Sequence, residues 1–368
     1  MRGGEPVSGN STPGTPDGRI LAIDVGAGTQ DILIYEPGQT PENLVKLVLP
    51  SRTRIVGWQV AAVTRAGRAL HLDGTLMGGG ASTDAIRAHL AAGLPVSATP
   101  AAAGTIHNDP NRVTGMGVVI RPGDAPAGAE TVILGDIDLP ALASALEPFG
   151  VALPATVAVA VQDHGYRPGS GNNDVRFAYL QGIIDAGGAL DGLLSPIPAP
   201  EMTRMAAVTR AVPGAFVMDT GAAAVLGILE DPRVREAADS DGAVLINAGN
   251  MHTFAVLVHG RRVVGLFEHH TSGISAGIVT ELVARLRAGT LTNAAFRSEF
   301  DGHGAALDPA YRSLGRFATV AVTGPHRGIL RDLGYLEAAP HGDMMLAGPF
   351  GLVAALRRRI GRDVMGTA

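Results

Sequence analysis

Two distant segments of this chain share one pattern, and that repeat restricts what it can fold into. They are "ILAIDVGAGTQDILIYE", from Ile20, and "AVLINAGNMHTFAVLVH", from Ala243. Each runs from an apolar strand to Asp24 or Asn247, one residue, a glycine (Gly26, Gly249), a small or polar turn, a threonine (Thr29, Thr253) and a second apolar strand. The copies stand more than half the chain apart, so they mark a duplicated domain and not a short solenoid repeat. Asn247 to Thr253 is one position longer than Asp24 to Thr29, so the second turn is expected to carry one extra residue. A length of 368 residues gives each half enough chain for a core.

A turn of this kind suits an anion. Glycines let the backbone approach and direct its N–H groups at a phosphate. The threonine adds a hydroxyl donor. A carboxylate at the strand end suits magnesium, held directly or through water. One copy alone is equally a glycine-rich hairpin; two facing copies would clamp a polyphosphate from both sides.

The chain has no cysteine, which excludes disulfides, thiolate zinc sites, cysteine nucleophiles and iron–sulfur clusters. Lys46 is its sole lysine and lies in an apolar run, a poor place for phosphate-gripping or Schiff-base chemistry. A net charge of −5 without a long basic block argues against a nucleic-acid partner. No apolar run is long enough to span a bilayer. Residues 1–18 are rich in Gly, Pro, Ser and Thr, lack a signal peptide's apolar stretch and read as a disordered tail, so a cytoplasmic protein is expected.

Strand-like and helix-like segments alternate, giving an α/β class. Strands are expected at residues 20–25, 31–35 and 44–49, in "TVILGDID", "TVAVAVQDHG" and "AFVMD", then in "AVLINAG", "TFAVLVHG", "RRVVGLFEHH" and "FATVAVTGP". Helices are expected over 55–65, 83–92, "LPALASALEPFG", "GAAAVLGILEDP" ending at Pro232, 275–286, 293–300 and "GPFGLVAALRRRIG". "REAADSDG" reads as a polar break between halves at 19–230 and 235–368.

With these motifs in order, the chain resembles the actin, heat-shock-chaperone and sugar-kinase superfamily of ATPases. The resemblance rests on five segments: "IDVGAGTQD" and "INAGNMHT" for the phosphate motifs, "MDTGAAAVLG" and "LAGPFGLVAAL" for the connecting helices, and "VTGPHRG" for the adenosine motif. It implies two ribonuclease-H-like domains with ATP and Mg2+ between them. Domain I would carry insertions, and the C-terminal helix would pack back toward it. By position, Gly26, Ala27, Gly28, Thr29 and Gln30 would face the phosphates from one side, and Asn247, Gly249, Asn250, Met251, His252 and Thr253 from the other. Gly324, Pro325 and Arg327 would lie near the purine, and Asp24 would hold magnesium through water. Within the superfamily the chain is similar to a branch labelled pyruvate formate-lyase activating enzyme, through "MGGGASTDAIRAHLAAG", "TIHNDPN", "VQDHG", "MDTGAAAVLG" and "GNMHT". A radical activase needs a cysteine-held cluster, so the resemblance carries the fold and not that reaction. Asn247 replaces the usual second aspartate, and Pro325 the usual second glycine of the adenosine motif, which puts hydrolysis and purine contact in question.

Asp219 precedes the first connecting helix, as a carboxylate that orients water or binds magnesium, or as a helix N-cap. Gln162, Asp163 and His164 end a strand, where α/β sheets face the cleft. Asp163 or His164 would be a general base, Gln162 a substrate contact; the alternative is a polar exit loop. Gly79 and Gly80 precede a helix start that attracts anions, or form an N-capped turn. His107 lies in "TIHNDPN", a cleft loop or a simple turn. His269 and His270 adjoin on a strand and so point to opposite faces; they lack metal-ligand spacing, with His252 and Glu268 nearby in sequence. The expected activity is ATPase or phosphotransferase, with a small-molecule substrate or an unknown protein partner. The alternatives are a nucleotide- or metabolite-binding module and an ATP-dependent activator of another enzyme.

Overall fold

The computed structural model describes residues 18–311 and 315–365. The expected tail, apart from Gly18, lies outside them.

Fifteen strands occur among the described residues: β1 (Ile20–Val25), β2 (Thr29–Tyr35), β3 (Val45–Pro50), β4 (Leu70–Gly74), β5 (Val96–Ala98), β6 (Val118–Ile120), β7 (Glu130–Leu134), β8 (Thr156–Val161), β9 (Phe216–Met218), β10 (Ala243–Ala248), β11 (His252–His259), β12 (Arg262–His270), β13 (Gly304–Leu307), β14 (Thr319–Thr323) and β15 (Leu336–Glu337). The first sheet has the order β3-β2-β1-β8-β9, with β1 to β3 antiparallel and β8 and β9 parallel to β1. The second has the order β13-β12-β11-β10-β14-β15. Without the edge strand β13 it repeats the first: β10 to β12 antiparallel, then β14 and β15 parallel. This is the ribonuclease-H-like arrangement twice over, the actin-like ATPase fold. β1 and β10 are apolar at nearly every position because both of their faces are covered.

The two hairpins match in register as well as pattern. Asp24 pairs with Asp31, and Asn247 with Phe254. Gly26 N–H donates to Thr29 O at 2.9 Å, and Gly249 N–H to His252 O at 3.0 Å. The turns are therefore equal in length, contrary to the expected extra residue. The counterpart of Thr29 is His252, and that of Thr253 is Gln30. Each turn is braced by the residue that follows its third strand. Ser51 gives its N–H to Gly28 O and its hydroxyl to Ala27 O; Thr271 gives its N–H to Met251 O and its hydroxyl to Gly249 O.

Between β3 and β8 the chain builds a third, parallel sheet, β6-β5-β4-β7. Of its strands only β7 was expected, because β4 to β6 are three to five residues long and lack a distinctive apolar run. The Thr220–Ile228 helix is buried from Gly221 to Ile228, and its small residues let the Ala347–Met365 helix lie against it. A Cβ on Gly227 would stand 1.8 Å from Ala347 O, and one on Gly351 1.9 Å from Ala223 O. The first of these helices ends at Ile228, short of Pro232, whose role is different. That proline opens another helix, Pro232–Ser240, capped by Asp231 and covering most of the expected polar break.

The Asn172–Asp185 helix was not expected, since its apolar residues follow no clear amphipathic period. It sits between β8 and β9 in sequence yet reaches the second sheet: Gln181 exchanges hydrogen bonds with the backbone of Leu307, and Phe177 lies over Gly304. No helix among the described residues is long and apolar enough to cross a membrane.

Candidate functional site

The two glycine turns face each other across a cleft. They come close enough that a Cβ on Gly28 would meet the Asn250 side-chain nitrogen at 2.6 Å. Asp24, Gly26, Ala27 and Thr29 line one side; Asn247, Gly249, Asn250, Met251 and His252 line the other; Gly324, packed against Asn247, and Pro325 line it too. Gln30 and Thr253 point elsewhere. Gln30 bonds the Pro50 carbonyl, and Thr253 is buried with its hydroxyl on Thr271. Arg327 also lies off the cleft lining, bonded to Glu337 and to Gly324 O.

Asp24 and Asp31 are opposed carboxylates, both buried and both on the cleft. Thr220 donates its hydroxyl to Asp24 Oδ1 at 2.6 Å, while Asp31 Oδ1 has no partner. Burial, and then the charge of Asp31, raises the Asp24 pKa to about 8; burial raises that of Asp31 to about 7. This pair of hard oxygen donors, with one orphaned oxygen, fits a magnesium ion. Asp31 was not expected here, although its place opposite Asp24 follows once the hairpin register is known.

At the cleft floor a buried arginine joins three elements. Arg176, from the Asn172–Asp185 helix, is 2% exposed. It makes a fork to Asp219, Nη1 to Oδ2 at 2.6 Å and Nη2 to Oδ1 at 3.1 Å. A second fork goes to Glu268 of β12, Nε to Oε2 at 2.6 Å and Nη2 to Oε1 at 3.3 Å. Burial opposes the charge on Glu268, but Arg176 and the neighbouring histidines outweigh it and hold its pKa far below the usual range. Asp219 also caps the Thr220–Ile228 helix by accepting the Gly221 N–H. Its carboxylate thus serves both Arg176 and the helix N-terminus, as the N-cap reading expects.

A second cavity adjoins the cleft and shares Gly26, Ala27, Gln162, Thr220, Met251 and His252 with it. It brings together Gly79, Gly80, His107, Gln162, Asp163 and His164, which the sequence scatters over almost ninety positions. Arg204 sets one wall. It forks to Asp136 at 2.8 Å through both Nε and Nη2 and donates to Gln162 O at 2.8 Å, while Asp136 accepts the Gly78 N–H. Neither Arg204 nor Asp136 stood out in the sequence, because each is an isolated charge whose partner lies far along the chain. Asp163 accepts N–H bonds from Gly165, Arg204 and Met205. These three backbone donors let it anchor the loop, while burial raises its pKa. His164 has no such commitment. Burial, and then the charge of Arg176, lowers its pKa to about 4 and leaves it neutral at pH 7. The helix behind the glycines starts at Ala81 with Gly80 as N-cap, and Ser82 N–H is already taken by Thr53.

Two results follow. Replacing Arg176 with methionine strands two buried carboxylates and is expected to cost about 3–5 kcal/mol in urea unfolding. Asp24 keeps its proton in the fold up to about pH 8, whereas the unfolded chain releases it near 3.8. Between those values the unfolded state binds fewer protons, so this group's contribution is complete below pH 4 and is lost as pH rises toward 8. In magnesium-free buffer the stability of the wild type relative to Asp24→Asn should therefore fall steadily from pH 4 to 8. A difference that is constant with pH would contradict the raised pKa.

No curated protein matches the chain in sequence. Solved structures similar to it include the ethanolamine utilization protein EutJ from Carboxydothermus hydrogenoformans (11% identity, 93% of this chain and 91% of that one, TM-score 0.30). The activator of the 2-hydroxyisocaproyl-CoA dehydratase from Clostridium difficile is another (9%, 94% and 97%, 0.34), as is MreB 5 of Spiroplasma citri (9%, 97% and 100%, 0.33). Likenesses this distant carry no argument, and the fold rests on the duplicated sheet topology. A family model matches residues 77–329, about two thirds of the chain, and the chain belongs to that family, described as "Putative pyruvate format-lyase activating enzyme (DUF1786)".

Proposed function

We propose that this protein is an ATP- and magnesium-dependent phosphotransferase acting on a small polar molecule. The observation that carries the reading is the second cavity. It opens onto the phosphate-facing turns through shared residues, as a site for an acceptor beside a γ-phosphate would. A nucleotide switch, or a module that binds a nucleotide alone, has no need of it. The reaction in the family's name is not part of the proposal, because this chain has no cysteine to hold an iron–sulfur cluster.

In this reading the backbone of Gly26–Thr29 and Gly249–His252 holds the phosphates between two sets of N–H groups. Asp24 and Asp31 would hold magnesium, which supplies charge neutralisation for the phosphates. The acceptor hydroxyl, bound near Gly79, His107 and Gln162, attacks the γ-phosphorus as the bond to the ADP oxygen breaks. Its proton passes to His164, the neutral imidazole of that cavity. A weak base suffices, because such transfer runs through a loose transition state in which positioning and charge do most of the work. Drawing the turns together completes the site.

ADP release should rise above background only when a suitable acceptor is present, in a screen of small hydroxylated compounds. His164→Ala should lower kcat by roughly 10²–10⁴ while leaving ATP affinity unchanged. ADP release that is indifferent to every acceptor but rises with a protein partner would favour an activator. ATP binding without turnover would favour a binding module, to which Asn247 and Pro325 lend support.

A further inference from the structure

We infer that His252, His270 and His303 form a binding site for a divalent transition ion of the zinc class, separate from the magnesium site. The three come from different places. His252 begins β11, His270 ends β12 directly opposite it in register, and His303 stands just before β13, where its N–H bonds Glu268 O. One ring nitrogen from each lies within 4.8 Å of those of the other two. The ring centroids are 4.1 Å apart for His270 and His303 and 4.5 Å apart for His252 and His303.

The rings of His252 and His270 each meet that of His303 edge to face and are not stacked on it. His303 Nε2 faces His270 Nε2 at 2.8 Å. His303 is 5% exposed and its Nδ1 has no hydrogen-bond partner. Behind the rings stands Glu268, with Oε1 3.4 Å from His252 Nδ1 and Oε2 3.9 Å from His303 Nδ1. The Gln162 side-chain amide bridges His252 Nδ1 and Glu268 Oε1, and the carboxylate faces His303 Nδ1 beyond hydrogen-bond distance, so Glu268 supports the site through its negative charge. Arg176 carries one positive charge against the two of Asp219 and Glu268, so the buried group keeps a net negative charge that favours a cation. Imidazole nitrogens select zinc-class ions over magnesium, which prefers oxygen. Three protein ligands leave a coordination position open. His252 also lines both cavities, so the ion would border the phosphate cleft and the second cavity. His269 takes no part: its ring lies on the other face of β12 and bonds the carbonyls of His270 and Phe300.

The probes are zinc chloride and cobalt chloride, added to chelator-treated full-length protein. One equivalent should bind, with cobalt giving the visible absorption of a nitrogen-ligated, four- or five-coordinate ion, and excess magnesium should not displace it. His270 is exposed, so His270→Ala should fold as the wild type does by circular dichroism and yet lose the cobalt spectrum and the zinc-induced rise in melting temperature. His341→Ala, an exposed histidine elsewhere, should keep both. Asp24→Ala should also keep the cobalt spectrum, which separates this site from the magnesium site. Absence of binding by folded wild type, or cobalt binding undiminished in His270→Ala, would overturn the inference.

Discussion

The buried guanidinium of Arg176 is the contact on which the cleft depends. It ties a helix of the first half to the N-cap of the first connecting helix and to β12 of the second half. Two carboxylates at 2.6 Å are stable in a water-poor interior only while that cation is between them. The fork fixes Asp219 as a structural anion and Glu268 as a support for the histidines. It also sets the depth at which Gln162, whose side chain meets Glu268 at 2.7 Å, can stand. The glycine turns are then positioned from below, while Ser51 and Thr271 brace them from the sides.

The duplicated hairpins were legible in the sequence because they are local. An apolar strand, a glycine and a second strand suffice to write them, and the two-half fold follows from their repetition. The equivalence of Thr29 with His252 was not legible. It depends on where each turn closes its hydrogen bond, and matching threonine to threonine gave an offset of one. Of the two neighbours expected at the phosphates, Thr253 is buried and His252 faces both cavities.

Apart from Asp31, the site residues that the sequence missed share one property: each acts through a partner far along the chain. Arg176 meets Glu268, Arg204 meets Asp136, and His303 meets His270 and Glu268. No spacing rule reaches across such separations. Conversely, Asp163 and Asp219 looked chemical because they are acids at strand and helix ends, the positions where backbone N–H groups compete for carboxylates. The structure engages both in that competition, while Asp31 keeps a buried oxygen without a partner.

The central claim is that the facing turns hold a magnesium-bound polyphosphate. Calorimetric titration of the folded protein with ATP and ADP, with and without magnesium, tests it most directly, repeated on Asp24→Ala. The account predicts binding that requires magnesium and is lost in the variant. Folded wild-type protein that binds neither nucleotide, or a variant that binds both as tightly as the wild type, would contradict it.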